Sequence, residues 1–259
     1  MSAFLLQENS ATSSPLEEIF LSTSVGRLKM SLLHLLRPRT WARAQRLRKA
    51  LSHYPLFAPP HSGNPAFLDF DAARENEGYL LEQRSNRIKA LRDLLHVFDV
   101  ELALEGPGLD AVSTWFPDHA ALLVTGLRKN AVRQAFFRWR TPWVGRLRGH
   151  NVIFDLGLFF GECIIAKNPK CCWRGIVGAA PGKPPPPERD IGWTGIGLEG
   201  SHRDPYFDPF AYVYTTCSNI QSYASPFNGV PPSVEMQPGY LAHLVDVYGD
   251  TVRRPRRPE

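Results

Sequence analysis

The stretch HNVIFDLGLFFGECIIAK, residues 150–167, decides the fold of this 259-residue chain. Its apolar character predicts a buried helix, which ends before Pro169 because proline cannot continue a helix. Gly157 and Gly161 are four residues apart and therefore lie on one face of that helix. We expect a neighbouring element to approach the helix closely at these two glycines.

Two carboxylates interrupt the same stretch. Asp155 and Glu162 are seven residues apart, so they share a helix face. Such a pair could hold a metal ion or divide the roles of general acid and base, which makes these two residues the catalytic candidates. No histidine or third carboxylate stands at a spacing that strengthens a metal site, so we predict no metal and no cofactor.

The alternative for this pair is structural. Burying a carboxylate without a partner is costly, so each must find hydrogen bonds inside the fold. In this interpretation Glu162 anchors a neighbouring loop or strand. We expect the partners to come from the arginines of residues 128–148.

The rest of the chain predicts short elements around this helix. Apolar residues at helical spacing predict helices over 40–52, 71–97, 109–116, 118–127 and 236–248. Short apolar or alternating runs predict strands over 100–104, 172–177 and 193–198, with 212–216 as another strand or the start of a helix. This pattern indicates an α+β fold, in which a small mixed or antiparallel sheet packs on helices beneath an N-terminal helical layer.

Composition shifts divide the chain into four segments. They are a disordered N-terminus (1–14), a basic helical extension (15–70), an α+β core domain (71–250) and a disordered basic tail (251–259). A chain of this length can bury a full core.

The positive charge is unevenly distributed. The net charge is +5, and no acidic residue occurs in residues 19–68 or in residues 119–154. We call these the first and second acid-free stretches. Such stretches attract polyanions or acidic proteins through their long-range field. The alternative is that the cations only solvate exposed helix faces.

The second acid-free stretch interleaves arginines with aromatic residues. We expect Phe136, Phe137, Trp139 and Trp143 to be exposed beside the arginines, because such surfaces anchor protein interfaces and can also stack on bases. The predicted binding residues are Arg133, Phe137, Arg138, Trp139, Arg140, Trp143, Arg146 and Arg148.

The cysteines and the N-terminus bear on location. Cys171 and Cys172 are adjacent and cannot easily bridge each other, and no Cys-x-x-Cys pair occurs. We expect no secretory signal, because a polar run follows a very short apolar start. The apolar run Val152–Ala166 is short for a bilayer span and contains carboxylates. We therefore predict reduced thiols, a cytoplasmic location and no membrane insertion.

The order of signals from residue 95 to residue 177 resembles a group of uncharacterised bacterial domains. The matching parts are residues 98–102, 109–115, the helix segment from Asp155 to Glu162 with its Gly-x-x-x-Gly-Glu motif, and residues 169–173 with Trp173. The resemblance covers about a third of the chain. It implies a small α+β fold with strands packed on helices, and it implies no established activity.

Three functions remain open from the sequence. The first is a non-enzymatic protein–protein interaction, immunity or regulatory module of a bacterial cytoplasm, with another protein as partner. The second is nucleic-acid binding through the acid-free stretches. The third is a metal-assisted enzyme that uses Asp155 and Glu162. We lean away from an enzyme, because the Gly-x-Ser-x-Gly, P-loop and His-Glu-x-x-His signatures are absent.

Overall fold

A computed structural model describes residues 38–64, 67–175, 194–200, 206–223 and 234–250. The chain divides into two compact units, Met1–Arg43 and Ala44–Glu259. Only residues 38–43 of the first unit are described, and every site discussed below lies in the second. The predicted disordered segments 1–14 and 251–259, and the part of the N-terminal layer before residue 38, lie outside the described residues.

Helices form most of the described structure. The α-helices are α1 (Pro38–Ser52), α2 (Phe70–His96), α3 (Gly106–Leu123), α4 (Asn130–Phe137), α5 (Gly149–Lys167), α6 (Pro209–Tyr223) and α7 (Tyr240–Gly249). Single 3-10 turns span Gly145–Leu147 and Val234–Met236. Leu47, Leu51, Tyr54 and Phe57 are buried in the same core as the later helices, so this part of the predicted extension packs within the second unit.

Three short strands form the sheet. Strands β1 (Cys172–Gly175), β2 (Ile196–Glu199) and β3 (Tyr206–Phe207) are antiparallel, in the order β1-β2-β3. Strand β1 packs on α2, and β2 packs on α6. The α+β fold with a small antiparallel sheet on helices is therefore confirmed. Residues 176–193, between the first two strands, lie outside the described residues.

Helix α5 is the centre of the fold, as its sequence predicts. All of its residues from Gly149 to Gly161 are buried, and it packs against α2, α3, α6 and α7. A Cβ atom on Gly157 would lie 2.8 Å from the Cα atom of Phe210, and one on Gly161 would lie 2.4 Å from the Trp173 ring. The predicted close approach at the two glycines is confirmed.

The length argument against a membrane span is wrong. Flanking residues join the apolar run, so the helical segment Gly145–Lys167 has 23 residues and is long and apolar enough to cross a bilayer by length and composition. Within the described part of the chain it is the one such segment, and 83% of its 18-residue apolar stretch is buried inside the structure. That burial is typical of a core helix, while the absence of membrane insertion stays a prediction.

The two helices predicted on either side of Pro117 are one helix, α3. A proline inside a helix costs about 3 kcal/mol because it removes a hydrogen bond and clashes with the preceding turn. Here Val112, Phe116 and Ala120 form one fully buried row that continues across the proline. Burial of this row offsets the cost, so the predicted break does not occur.

Two smaller predictions are wrong, and a third is decided between its two alternatives. Residues 100–104 pair with no strand in the described structure, and their alternation reflects the burial of Leu102 in the core. Residues 212–216, predicted as another strand or the start of a helix, are helical and lie inside α6. The helix predicted over 236–248 begins only after Gly239, whose left-handed φ of 87° separates it from the preceding turn.

Candidate functional site

Asp155 is fully buried, and its carboxylate is hydrogen-bonded to other side chains of the protein. The Arg87 Nε atom donates to Oδ1 at 2.8 Å, and the Tyr54 hydroxyl donates to Oδ2 at 2.5 Å. Arg87 Nη2 also lies 2.7 Å from Oδ2. Both carboxylate oxygens are therefore occupied, and the group is closed to a substrate or a metal ion.

Burial dominates the electrostatics of this cluster. It raises the pKa of Asp155 to about 6, against the opposing effect of the Arg87 charge and of the hydrogen bonds from Arg87 and Tyr54. Burial and the neighbouring carboxylate also raise the pKa of Tyr54 well above its ordinary value. At neutral pH the cluster is a buried ion pair with a neutral tyrosine hydroxyl.

Glu162 has the structural role that the sequence offered as an alternative. Its carboxylate, 17% exposed, accepts a 2.7 Å hydrogen bond from Trp173 Nε1 on β1 and lies 3.4 Å from Arg84 Nη1. The predicted anchoring of a strand is confirmed. The predicted partners in residues 128–148 are wrong, because α2 is the helix that covers this face of α5 and supplies the arginines of both carboxylates.

The sequence pattern of α2 could have identified Arg84 and Arg87 as the partners of the two carboxylates. Arg84 and Arg87 fall in one helical row with Leu80, Leu91 and Leu94, which are buried on α2. An arginine on an apolar helix face requires a buried anion. The described residues contain no group of three or more histidines, cysteines, aspartates or glutamates that could hold a metal ion.

The predicted exposure of the aromatic residues in the second acid-free stretch is wrong. Phe136, Phe137, Trp139 and Trp143 are all buried. Trp143 donates its indole N–H to the carbonyl of Ala135 at 2.8 Å, which satisfies its polar atom inside the core. Rings of this size gain more free energy from burial and stacking than from a position at the surface.

The arginines between these rings stay near solvent. Arg133, Arg140 and Arg146 are exposed, and Arg138 and Arg148 are half-buried. The interleaved sequence therefore separates into an aromatic core and a basic surface. Whether the predicted binding arginines hold a ligand stays a prediction.

The two acid-free stretches pack directly against each other. Arg148 donates from Nη1 to the carbonyl of Ser52, and the Phe57 N–H donates to the side chain of Asn151 at 2.7 Å. The Phe57 ring also stacks on Phe154 with 4.2 Å between ring centroids. Each of these contacts joins residues 50–68, which contain no lysine or arginine, to residues 119–154, so the cations at this junction are arginines of the second stretch.

A polar pocket of about 310 Å³ lies at this junction. It is lined by Ser62, Gly63, Asn64, Phe67, Leu68, Arg138 and Arg140, all from the two acid-free stretches. The carbonyl of Trp139 accepts hydrogen bonds from the Gly63 N–H at 3.3 Å and the Ser62 hydroxyl at 3.4 Å, which holds the two sides together. The pocket thus has two guanidinium groups in its lining and no carboxylate.

The backbone at Trp139 is strained. Its φ of 41° lies in the left-handed region, which is uncommon for a bulky residue. This turn lets the Trp139 ring enter the core while Arg138 and Arg140, on either side, line the pocket. We define the basic seam as this junction with Arg138, Arg140, Arg146 and Arg148.

A buried histidine adjoins the same aromatic core. Neither ring nitrogen of His150 has a hydrogen-bond partner, and the ring packs near Phe136, Trp143 and Tyr214. Burial lowers the pKa of His150 to about 3, so the ring is neutral. No pattern in the sequence singles out His150, because it lies at the polar start of the helix.

No protein family, curated protein or solved structure matches this chain. The resemblance of residues 95–177 to bacterial α+β domains therefore stays a prediction.

Proposed function

We propose that this protein is a non-enzymatic nucleic-acid-binding protein that holds the phosphate backbone on its basic seam. The observation that carries the proposal is the packing of two acid-free stretches against each other, with Arg138 and Arg140 in one pocket. Neither stretch contains a carboxylate of its own, and none lines the pocket. Arginine suits phosphate because its planar fork donates two parallel hydrogen bonds.

The proposed binding is of the backbone and not of the bases. The rings that would have stacked on bases are buried in the core. Phosphate contacts alone carry little sequence information and weaken steeply with salt. We therefore expect similar affinity for unrelated sequences.

The other two interpretations have less support. A protein–protein module was argued from exposed aromatic anchors, and those rings are buried. An enzyme using Asp155 would need access to a carboxylate whose two oxygens are already bound. The four cysteines are free thiols, which supports a cytoplasmic location as part of this proposal.

The test is binding to a fluorescent 20-base-pair DNA duplex, followed by anisotropy at low salt. The variant Arg138→Gln/Arg140→Gln removes both guanidinium groups from the pocket. We expect its affinity to fall by about tenfold or more, since each phosphate contact contributes to a salt-sensitive attraction.

The matched control is Arg74→Gln/Arg92→Gln, which removes the same charge from α2, outside both acid-free stretches. We expect the control to bind within about twofold of the unmodified protein. Equal loss in the two variants, or no binding of the duplex, would overturn the proposal. Binding of polyglutamate in place of DNA would assign the seam to an acidic protein.

A further inference from the structure

A second cavity lies between the end of α1 and the C-terminal part of α2. Its volume is about 580 Å³, within the range of about 300–1,000 Å³ that is typical of small-molecule sites. The lining residues are Lys49, Ala50, His53, Tyr54, Pro55, Asn86, Lys89, Ala90, Asp93, Leu94 and Val97. We call this cavity the α1–α2 cleft.

The walls of the cleft combine an apolar surface with positive charge. The apolar part comes from both helices and includes Ala50, Ala90 and Leu94. Lys49 and Lys89 supply two positive charges, and Asp93 is the one carboxylate among the lining residues.

The single acid does not neutralise the cleft. The Lys89 Nζ and Asp93 Oδ2 atoms are 2.7 Å apart, with side chains 70% and 62% exposed. An exposed pair one helical turn apart contributes little and leaves both groups able to exchange partners. The lining therefore carries an excess of positive charge beside an apolar wall.

The buried ion pair fixes the floor of the cleft. Tyr54 is held through its hydroxyl by Asp155 at 2.5 Å, and its ring lies 5.7 Å from the Arg87 guanidinium carbon. Arg87 also donates to the carbonyl of Pro55 at 3.0 Å. The lining residues Tyr54 and Pro55 are thus held in place by hydrogen bonds to buried side chains. A preorganised site of this kind loses less entropy when a ligand binds.

We propose that the α1–α2 cleft binds a small organic anion with an apolar body, of the class of medium-chain fatty acids. The acidic head lies against Lys49 and Lys89, and the chain lies on Ala50, Ala90 and Leu94. The cleft shares no residue with the basic seam. Ligand binding in the cleft can therefore be tested independently of nucleic-acid binding.

Calorimetric titration of the full chain with sodium octanoate tests the proposal. We expect saturable binding of octanoate, weaker binding of 1-octanol, which lacks the charge, and no binding of acetate, which lacks the chain. The variant Lys49→Met/Lys89→Met should weaken octanoate binding by about tenfold, because hydrogen bonds to charged groups are lost. It should leave 1-octanol binding within about twofold.

Two further variants locate the site. Ala90→Leu adds volume to the apolar wall and should weaken both octanoate and 1-octanol. Lys170→Met removes an exposed lysine outside the cleft and should change neither. Absence of saturable octanoate binding, or equal effects of the Lys49→Met/Lys89→Met and Lys170→Met variants, would overturn the proposal.

Discussion

Helix α5 and residues 133–148 both place charged side chains among large apolar ones, yet they use the charge in opposite ways. On α5, Asp155 and Glu162 point into the protein and are held by arginines of α2. In residues 133–148, the rings point into the protein and the arginines remain near solvent.

The difference follows from backbone geometry. A regular helix that is buried on nearly all sides gives a carboxylate little access to water, so the chain must supply a partner from a neighbouring element. The segment after α4 is irregular, and its left-handed residue Trp139 sends successive side chains to opposite sides. Charge inside α5 is therefore paired within the fold, whereas the arginines of the basic seam lie near solvent, where our proposal places a partner.

The largest expected effect is at the buried ion pair. Asp155→Ala leaves Arg87 as an uncompensated buried charge, and we expect it to lower the free energy of unfolding by about 3–5 kcal/mol. The double variant Arg87→Met/Asp155→Leu removes both charges and should cost less than Asp155→Ala. Urea unfolding followed by circular dichroism measures both, and a double variant at least as unstable as the single one would contradict this account.

His150 lies where the two regions meet, and its neutrality should make stability depend on pH. Its folded pKa of about 3 lies below the ordinary value of 6.5, so only the unfolded chain takes up the proton between these values. Stability is therefore lost as pH falls from 6.5. Relative to His150→Phe, we expect a loss of about 3 kcal/mol between pH 6.5 and pH 4.

Comparing the unmodified protein with His150→Phe isolates the contribution of the histidine to the pH dependence of stability. Asp155, whose raised pKa of about 6 works in the opposite direction, is present in both proteins and cancels. The measurement is urea unfolding at several pH values. Parallel pH profiles for the two proteins would show that His150 is not buried as a neutral ring.

A smaller effect is expected at the anchor of β1. Glu162→Gln keeps an oxygen to accept the Trp173 indole N–H and loses only the charge beside Arg84. We expect a loss of about 1 kcal/mol in the free energy of unfolding, because the site is partly solvated. A loss as large as that of Asp155→Ala would show that Glu162 behaves as a fully buried charge and would contradict this expectation.

The smallest effect on folding is expected at the basic seam. Arg140 is exposed, so Arg140→Gln should change the free energy of unfolding by less than about 0.5 kcal/mol. Urea unfolding of Arg140→Gln and Glu162→Gln under the same conditions compares their losses in the free energy of unfolding. Substantial destabilisation would mean that the seam, like α5, uses its charge for folding.

Local patterns account for much of what the sequence predicted. The all-round apolar character of α5, the close approach at Gly157 and the strand at Trp173 follow from residue spacing and neighbouring prolines. The partner of Asp155 did not follow, because Arg87 lies far away in sequence and its pairing depends on how two helices align. The inward turn of Trp139 likewise depends on a single left-handed residue and on the first acid-free stretch packing over it.

The central claim is that the junction of the two acid-free stretches is a phosphate-binding surface, and the salt dependence of duplex binding tests it most directly. The slope of log K against log salt counts the phosphate contacts, at about 0.9 for each. We predict that Arg138→Gln/Arg140→Gln/Arg146→Gln makes the slope shallower by about 2–3, while the Arg74→Gln/Arg92→Gln control keeps the original slope. An unchanged slope in the triple variant would contradict the account.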